Sequence, residues 1–211
     1  MSDFERAREK MIERQIATRR IADPEILAAF RAVPRELFVP PEQIAAAYDD
    51  SPVPIEAGQT ISQPFIVAAM IKAAGIGPGS RVLEIGAGSG YAAAVMSRIA
   101  ARVIAIERHA ALAGLAAERM RRLGYANVEI IHGDGSGGWP DAAPYDAILV
   151  AAAARRLPQR LSGQLAIDGR LVIPVGPHDQ TQRLLRVKRL GDDEFEQDDL
   201  GPVRFIPLVG I

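Results

Sequence analysis

Three acidic residues stand at or near the ends of short apolar runs: Glu84 in Val82-Leu-Glu-Ile85, Glu107 closing Arg102 to Glu107, and Asp134 just after Val128 to His132. Between the first two lies Gly86-Ala-Gly-Ser-Gly90, three glycines at alternate positions, followed by Tyr91. Glycine lets the chain turn tightly and lets a ligand approach the backbone without meeting a Cβ, while a following helix directs free amides at that ligand. The dinucleotide fingerprint needs its last glycine three positions after the second, and Tyr91 occupies that place here. A turn of this kind, preceded by Glu84, suits a ligand with an amino-acid end, whose ammonium a carboxylate can hold. Glu107 follows the turn by about 20 residues, the separation at which a carboxylate reaches both hydroxyls of an adenosine ribose. Asp134 is placed to accept from an adenine amino group. An ammonium, a ribose and an adenine together describe S-adenosylmethionine, and the expected chemistry is methyl transfer. Triphosphates fit poorly, because there is no Gly-Lys-Ser/Thr phosphate loop.

Strands and helices must alternate to carry these acids. β-branched runs at 81–85, 102–107, 128–132, 145–151 and 170–175, separated by helical stretches, predict parallel crossovers and a sheet covered on both faces. Residues 183–190 and 203–209 read as strands around an acidic turn at 191–199, forming an antiparallel edge. Upstream, residues 1–75 read as helices broken by proline-rich turns. Phe4, Met11, Ile12 and Ile16 fall at near-helical spacing. Asp23-Pro24 is expected to start a helix, with the aspartate accepting free amides, and Val33-Pro34 to end it. A third apolar helix is expected near 65–74. The expected fold is therefore α/β and Rossmann-like, a mostly parallel sheet with an antiparallel C-terminal edge. It divides into a helical cap (1–75), a cofactor-binding core (76–176) and C-terminal strands (177–211), all in one domain.

Bulk properties narrow the function classes. With 25 Lys and Arg against 26 Asp and Glu, the chain has no bulk charge for a nucleic-acid backbone. Hydrophobic residues make up 48% and aromatics only 5%, so the core is built from aliphatic side chains. The lack of cysteine excludes disulfides, cysteine metal sites and a thiol nucleophile. His109, His132 and His178 lack metal-ligand spacing, and no metal is expected. Trp139 is expected to pack. The charged start, MSDFERAREK, has no apolar signal core, and no run approaches the roughly 18 apolar residues of a membrane span, so the expectation is a cytoplasmic protein without a membrane partner.

The fold alone cannot name a methyl acceptor. Nearly end to end, however, the chain resembles the protein-L-isoaspartate O-methyltransferases. The resemblance is carried by Met11-Ile-Glu-Arg-Gln15, Val33-Pro-Arg-Glu-Leu-Phe-Val-Pro40, Ala47-Tyr-Asp-Asp50 and Gly58-Gln-Thr-Ile-Ser-Gln-Pro64. It continues through Leu83 to Tyr91, His132-Gly-Asp-Gly-Ser136 with Gly138-Trp-Pro140, and Arg170-Leu-Val-Ile-Pro-Val-Gly176. It implies transfer of the methyl of S-adenosylmethionine to the α-carboxylate of L-isoaspartyl residues in damaged proteins and peptides. Transfer leaves S-adenosylhomocysteine as product; the methyl ester then cyclises to a succinimide with loss of methanol, and hydrolysis of the ring restores part of it to aspartate, which begins repair. It implies Ser62 as the active-site serine, orienting a carboxylate rather than attacking. With the acids and glycines above, Ala87, Arg108 and Gly135 complete the implied cofactor set, and Tyr48 and Asp50 are implied at the peptide channel. A monomer is expected.

A carboxylate is already ionised at neutral pH, so the absence of a histidine or cysteine base is no objection. Two places depart from the family pattern. Ala151-Ala-Ala-Ala-Arg155 replaces a common threonine and adds a charge near the rim, and Asp168 stands where a second glycine is common. The rival readings are a methyltransferase with another acceptor, a family member with reduced repair activity, a non-catalytic binder of the same cofactor, and a nicotinamide oxidoreductase. The glycine spacing disfavours the last, and Ser62 in its segment disfavours the non-catalytic binder. The alternative role for Ser62 is to cap the helix beginning at Pro64.

Overall fold

The computed structural model describes residues 2–210. Helix α1 (Asp3–Met11) opens with a capping box, in which the Ser2 side chain accepts from the Glu5 amide and the Glu5 carboxylate accepts from the Ser2 amide. Helix α2 (Pro24–Ala32) has proline in its first position. Asp23 does not cap it as expected. Its carboxylate instead pairs with Lys72 at 3.0 Å, because a full opposite charge on the neighbouring helix outcompetes the amides. Val33, held out of helical conformation by the following Pro34, ends the helix.

A small antiparallel hairpin, β1 (Val53–Pro54) with β2 (Thr60–Ile61), precedes α3 (Pro64–Ala74). The alternating part then runs β3 (Arg81–Ile85), α4 (Tyr91–Ser97), β4 (Arg102–Glu107), α5 (Ala110–Leu123), β5 (Val128–His132), β6 (Tyr145–Val150), α6 (Gln159–Ser162), β7 (Leu165–Val175), β8 (Gln182–Arg189) and β9 (Phe195–Val203). The seven-stranded sheet has the order β5-β4-β3-β6-β7-β8-β9. Its pairs are parallel from β5 to β7, and β8 and β9 are antiparallel additions. The order reverses at β3, with β4 on one side and β6 on the other. In such sheets ligands bind outside the carboxyl ends of the strands at that reversal, and the Gly86–Gly90 turn lies there. The architecture is the expected Rossmann-like α/β fold.

Successive side chains of a strand point to opposite faces, so the sheet sorts its apolar residues into two layers. Val82, Val103, Ala105, Ala147 and Leu149 face α3, α4 and the N-terminal cap, whose Met11, Ile16, Phe30 and Phe38 join the same buried cluster. Leu83, Ile85, Ile104, Ile106 and Ile148 form the second layer, against which Trp139 packs. Because cap and sheet share one core, the cap's loops pack against the end of β3.

The C-terminal region differs from the sequence expectation. Residues 195–199, read as acidic turn, belong to β9, and only Leu190 to Glu194 turns, closed by the Leu190 amide on the Glu194 carbonyl at 2.8 Å. The acids mark cross-strand pairing: Asp198 meets Arg186 and Asp199 meets Arg183, each at 2.7 Å. Residues 204–210 lie beyond the strand and instead run to the end of the sheet nearest the glycine turn. Asp168 adopts a left-handed φ of 64° and pairs with Lys188 at 2.7 Å, a conformation that explains why glycine suits this position. Among the described residues, no helix is long and apolar enough to cross a membrane.

Candidate active site

A cavity of about 380 Å³ opens at the carboxyl end of β3, within the size range of small-molecule sites. Its floor comes from Glu84 to Ser89, one flank from Ile106 to His109, and its roof from Gln59 to Ser62. Of the residues expected to bind a cofactor, Glu84, Gly86, Ala87, Gly88, Glu107, Arg108 and Gly135 line it.

Glu107 is buried and its carboxylate is fixed twice: Oε2 accepts from the Gly88 amide and Oε1 from the His109 amide, each at 2.9 Å. Each oxygen keeps a lone pair to offer to a hydroxyl. Glu84 is buried beneath the turn with Oε2 facing no hydrogen-bond partner. Burial, reinforced by the nearby Glu107 charge and opposed by the Ala93 amide, pushes its pKa well above the usual carboxylate value. An orphaned acid in a cavity wall fits a cationic group. The observed donor set thus fits S-adenosylmethionine, with an ammonium for Glu84 and paired hydroxyls for Glu107.

Most amides of the turn itself are spent within it, which leaves the first amides of the following helix α4 as the free ones. Gly86 and Ala87 donate to the Ile106 carbonyl, Gly88 to Glu107 and Gly90 to the Ala87 carbonyl. With those amides engaged internally, the turn is a poor cradle for an anion, in keeping with the missing phosphate pattern. Gly86 and Gly88 take φ of 88° and 54°, so a side chain at either would be strained as well as standing over the cavity floor. Gly90 does not line the cavity. Its left-handed φ of 86° at the start of α4 favours glycine, and a Cβ there would also crowd the end of the Met120 side chain of α5.

Asp134 also lies outside the cavity lining. It is exposed, and its Oδ1 accepts from the Ser136 amide at 2.9 Å, closing a short turn that places Gly135 in the wall. Ser62 lines the cavity and its hydroxyl has no bonding partner among the described residues. Nor does it cap α3, whose N-cap residue is Gln63 without a side-chain bond. The hydroxyl is therefore available to a ligand.

Tyr48 and Asp50 do not line the cavity. The Tyr48 hydroxyl donates to Glu36 and accepts from Arg8 at 3.0 Å, and its carbonyl accepts from Gln15 at 2.8 Å. Asp50 pairs with Arg19, and its carbonyl accepts from Gln63 at 2.8 Å. These cap motifs are thus a web that supports the Ser62 segment from behind. Burial and the Glu36 contact push the Tyr48 phenol up, keeping it neutral.

The hairpin tip is latched to the cofactor turn. Arg119 on α5 reaches Glu56 at 3.0 Å, with a second contact to the Ser89 carbonyl at 3.4 Å, and the Ile55 side chain would meet a Cβ at Gly88. On the opposite side, Ile206 to Val209 form a wall that sequence reasoning missed. The Ala153 amide donates to the Ile206 carbonyl at 2.7 Å, and the Leu208 amide to the Ala153 carbonyl at 2.8 Å. Ala151 and Ala152 line the cavity, whereas Arg155 is exposed and does not. The available signal was an apolar stretch interrupted by Pro207, which a continuous strand does not favour.

Comparison with known proteins agrees with this geometry. The sequence profile described as protein-L-isoaspartate(D-aspartate) O-methyltransferase matches residues 6–211. A protein-L-isoaspartate O-methyltransferase 1 of Rhodopseudomonas palustris (strain HaA2) is 56% identical over 209 residues, covering 99% of this chain and 85% of the relative. Among solved structures, a protein-L-isoaspartate O-methyltransferase superposes with a TM-score of 0.86 at 30% identity, over 96% of this chain and 66% of that longer one. A Plasmodium falciparum structure described as the same enzyme, in complex with S-adenosyl-L-homocysteine, gives 0.83 at 28% identity over 99% of both chains. With a match from one end to the other and the cavity in the place its sequence motifs require, the chain belongs to the protein-L-isoaspartate(D-aspartate) O-methyltransferase family.

Proposed function

We propose that this protein transfers the methyl group of S-adenosylmethionine to the α-carboxylate of L-isoaspartyl residues in damaged proteins and peptides, initiating their repair. The observation that carries the reading is the pairing, across one cavity, of the orphaned Glu84 and twice-held Glu107 with the free hydroxyl of Ser62. When bound, the cofactor supplies an electrophilic methyl on a sulfonium sulfur.

The chain's own residues then have simple duties. Glu84 holds the ammonium, Glu107 the ribose hydroxyls, and Gly86, Ala87, Gly88, Arg108 and Gly135 border the bound molecule. Gly90 supports the turn by its left-handed conformation, and Asp134 serves adenine through the backbone it positions. Ser62 donates its hydroxyl to the acceptor carboxylate and sets its approach. No proton need be removed, so rate enhancement comes from alignment and from exclusion of water by the hairpin and the C-terminal wall.

The cap (1–75), cofactor core (76–176) and C-terminal strands (177–211) act as one unit, and the protein works as a monomer. A cytoplasmic setting suits a chain with no cysteine. Transfer of labelled methyl to an isoaspartyl peptide, with its normal aspartyl twin as control, tests the function. Labelling of the isoaspartyl peptide alone is expected, and equal or absent labelling of the two would overturn it.

A further inference from the structure

Arg35 is fully buried, yet no carboxylate lies within ion-pair distance of it among the described residues. Its Nε donates to the Ala47 carbonyl at 2.6 Å and its Nη2 to the Ser62 carbonyl at 2.8 Å. The guanidinium lies over the ring of Tyr91, 4.6 Å from its centroid, and Tyr91 is the residue that follows the glycine turn and lines the cavity. Nη1 and the Tyr91 hydroxyl are both buried and make no well-formed hydrogen bond, although the two groups lie close enough to interact electrostatically.

An arginine used only as packing would be a costly choice. Burying a charge without a counter-ion is unfavourable, and an apolar side chain of similar volume would fill the space without that cost. Here the cation joins three elements, the Ala47 turn, the Ser62 segment and the start of α4, whose mutual placement sets the distance between acceptor and cofactor. It also stands directly behind Ser62, whereas the acids Glu84 and Glu107 belong to the cofactor side.

We infer that Arg35 is a positioning residue for the methyl acceptor: it pins the Ser62 backbone against the cofactor turn and places a buried, unpaired positive charge behind the segment that meets the anionic carboxylate. This rests on the isoaspartyl carboxyl methylation proposed above. The guanidinium touches neither substrate nor cofactor. It acts through Ser62 and through the low dielectric around it, where a charge is felt more strongly than in water. Burial pulls its pKa down, but an arginine starts so high that it keeps its charge.

The test is steady-state methylation of an isoaspartyl peptide at saturating cofactor by wild type, Arg35→Gln and Arg35→Lys, with cofactor Kd from calorimetry. Arg35→Gln keeps a donor but loses the charge, so its peptide KM is expected to rise roughly tenfold while the cofactor Kd stays within about twofold of wild type. Arg35→Lys keeps the charge but cannot hold both carbonyls, so its KM should recover to within about threefold while kcat falls roughly fivefold. A merely structural arginine would lower melting temperature and active fraction without moving KM, and that result overturns the inference. So does parallel loss of cofactor affinity. Should Arg35→Gln fail to fold, Arg35→Lys decides alone, and an unchanged kcat in it overturns the inference. Wild type that does not distinguish isoaspartyl from aspartyl peptide removes both this inference and the function beneath it.

Discussion

Glu107 accepts the Gly88 amide at 2.9 Å, so the carboxylate that ends β4 is fastened to the turn that follows β3. One side chain thereby fixes the shape of the turn and presents its remaining lone pairs to the cavity. The two duties cannot be separated by deleting the residue.

Glu107→Ala is accordingly expected to weaken S-adenosylmethionine binding. Charge-assisted hydrogen bonds contribute about 1.5 to 3 kcal/mol, which corresponds to roughly ten- to a hundredfold in Kd. Calorimetry measures it, and an unchanged Kd would falsify the placement of the ribose.

Glu84 gives the site a pH dependence. Its folded pKa is raised by burial and by Glu107, so between the ordinary carboxylate value and the raised one the folded state binds more protons than the unfolded state. Stability of the empty protein therefore falls as pH rises through that window, the reverse of a salt-bridged acid. An ammonium favours the ionised form, so cofactor binding should release a proton below the raised pKa and tighten with rising pH. Glu84→Gln should flatten both profiles. Melting curves and calorimetry in buffers of different ionisation enthalpy check this, and a variant with wild-type pH slopes would remove Glu84 from that role.

Ser62→Ala separates binding from alignment. Loss of one charge-assisted hydrogen bond to the acceptor carboxylate should lower turnover roughly ten- to a hundredfold, with cofactor affinity unchanged. Stopped-time methylation assays read this directly, and wild-type turnover in the variant would leave the hydroxyl without a function.

The Arg119–Glu56 latch is partly buried, with side chains 10% and 30% exposed. A double-mutant cycle with Glu56→Ala and Arg119→Ala should give a coupling of roughly 1 kcal/mol in denaturant unfolding. Both single variants should also release cofactor faster in stopped flow. Zero coupling with unaltered release would mean that the hairpin is held by Ile55 packing alone.

How legible the protein was in its sequence depended on the range of the forces involved. The alternating strands from Arg81 onward and the glycine turn were readable because period and backbone conformation are local properties. Glu84 and Glu107 were readable for the same reason, since each sits at a fixed offset from a strand end. Long-range contacts broke the reading elsewhere. Asp23 turned from its own helix to Lys72, and the acids of β9 answered to arginines on β8. The approach of Ile206 to Val209 to the cavity depends on a pairing with Ala153, more than fifty residues earlier, that no local pattern announces. Arg35 belongs to the same class. Its motif was conspicuous in the chain, but the carbonyls it holds lie 12 and 27 residues away.

The internally bonded glycine turn has a consequence for selectivity. A cell offers many molecules that share the adenosine half of the cofactor but continue as di- or triphosphates. In this site such a chain would meet amides already engaged by Ile106, Glu107 and Ala87, and the carboxylate of Glu107 in place of a cation. Discrimination is therefore built in by repulsion as much as by fit. A large excess of adenosine triphosphate should leave binding of labelled S-adenosylmethionine unaffected, and competition by it would show that the turn can reopen its amides to an anion.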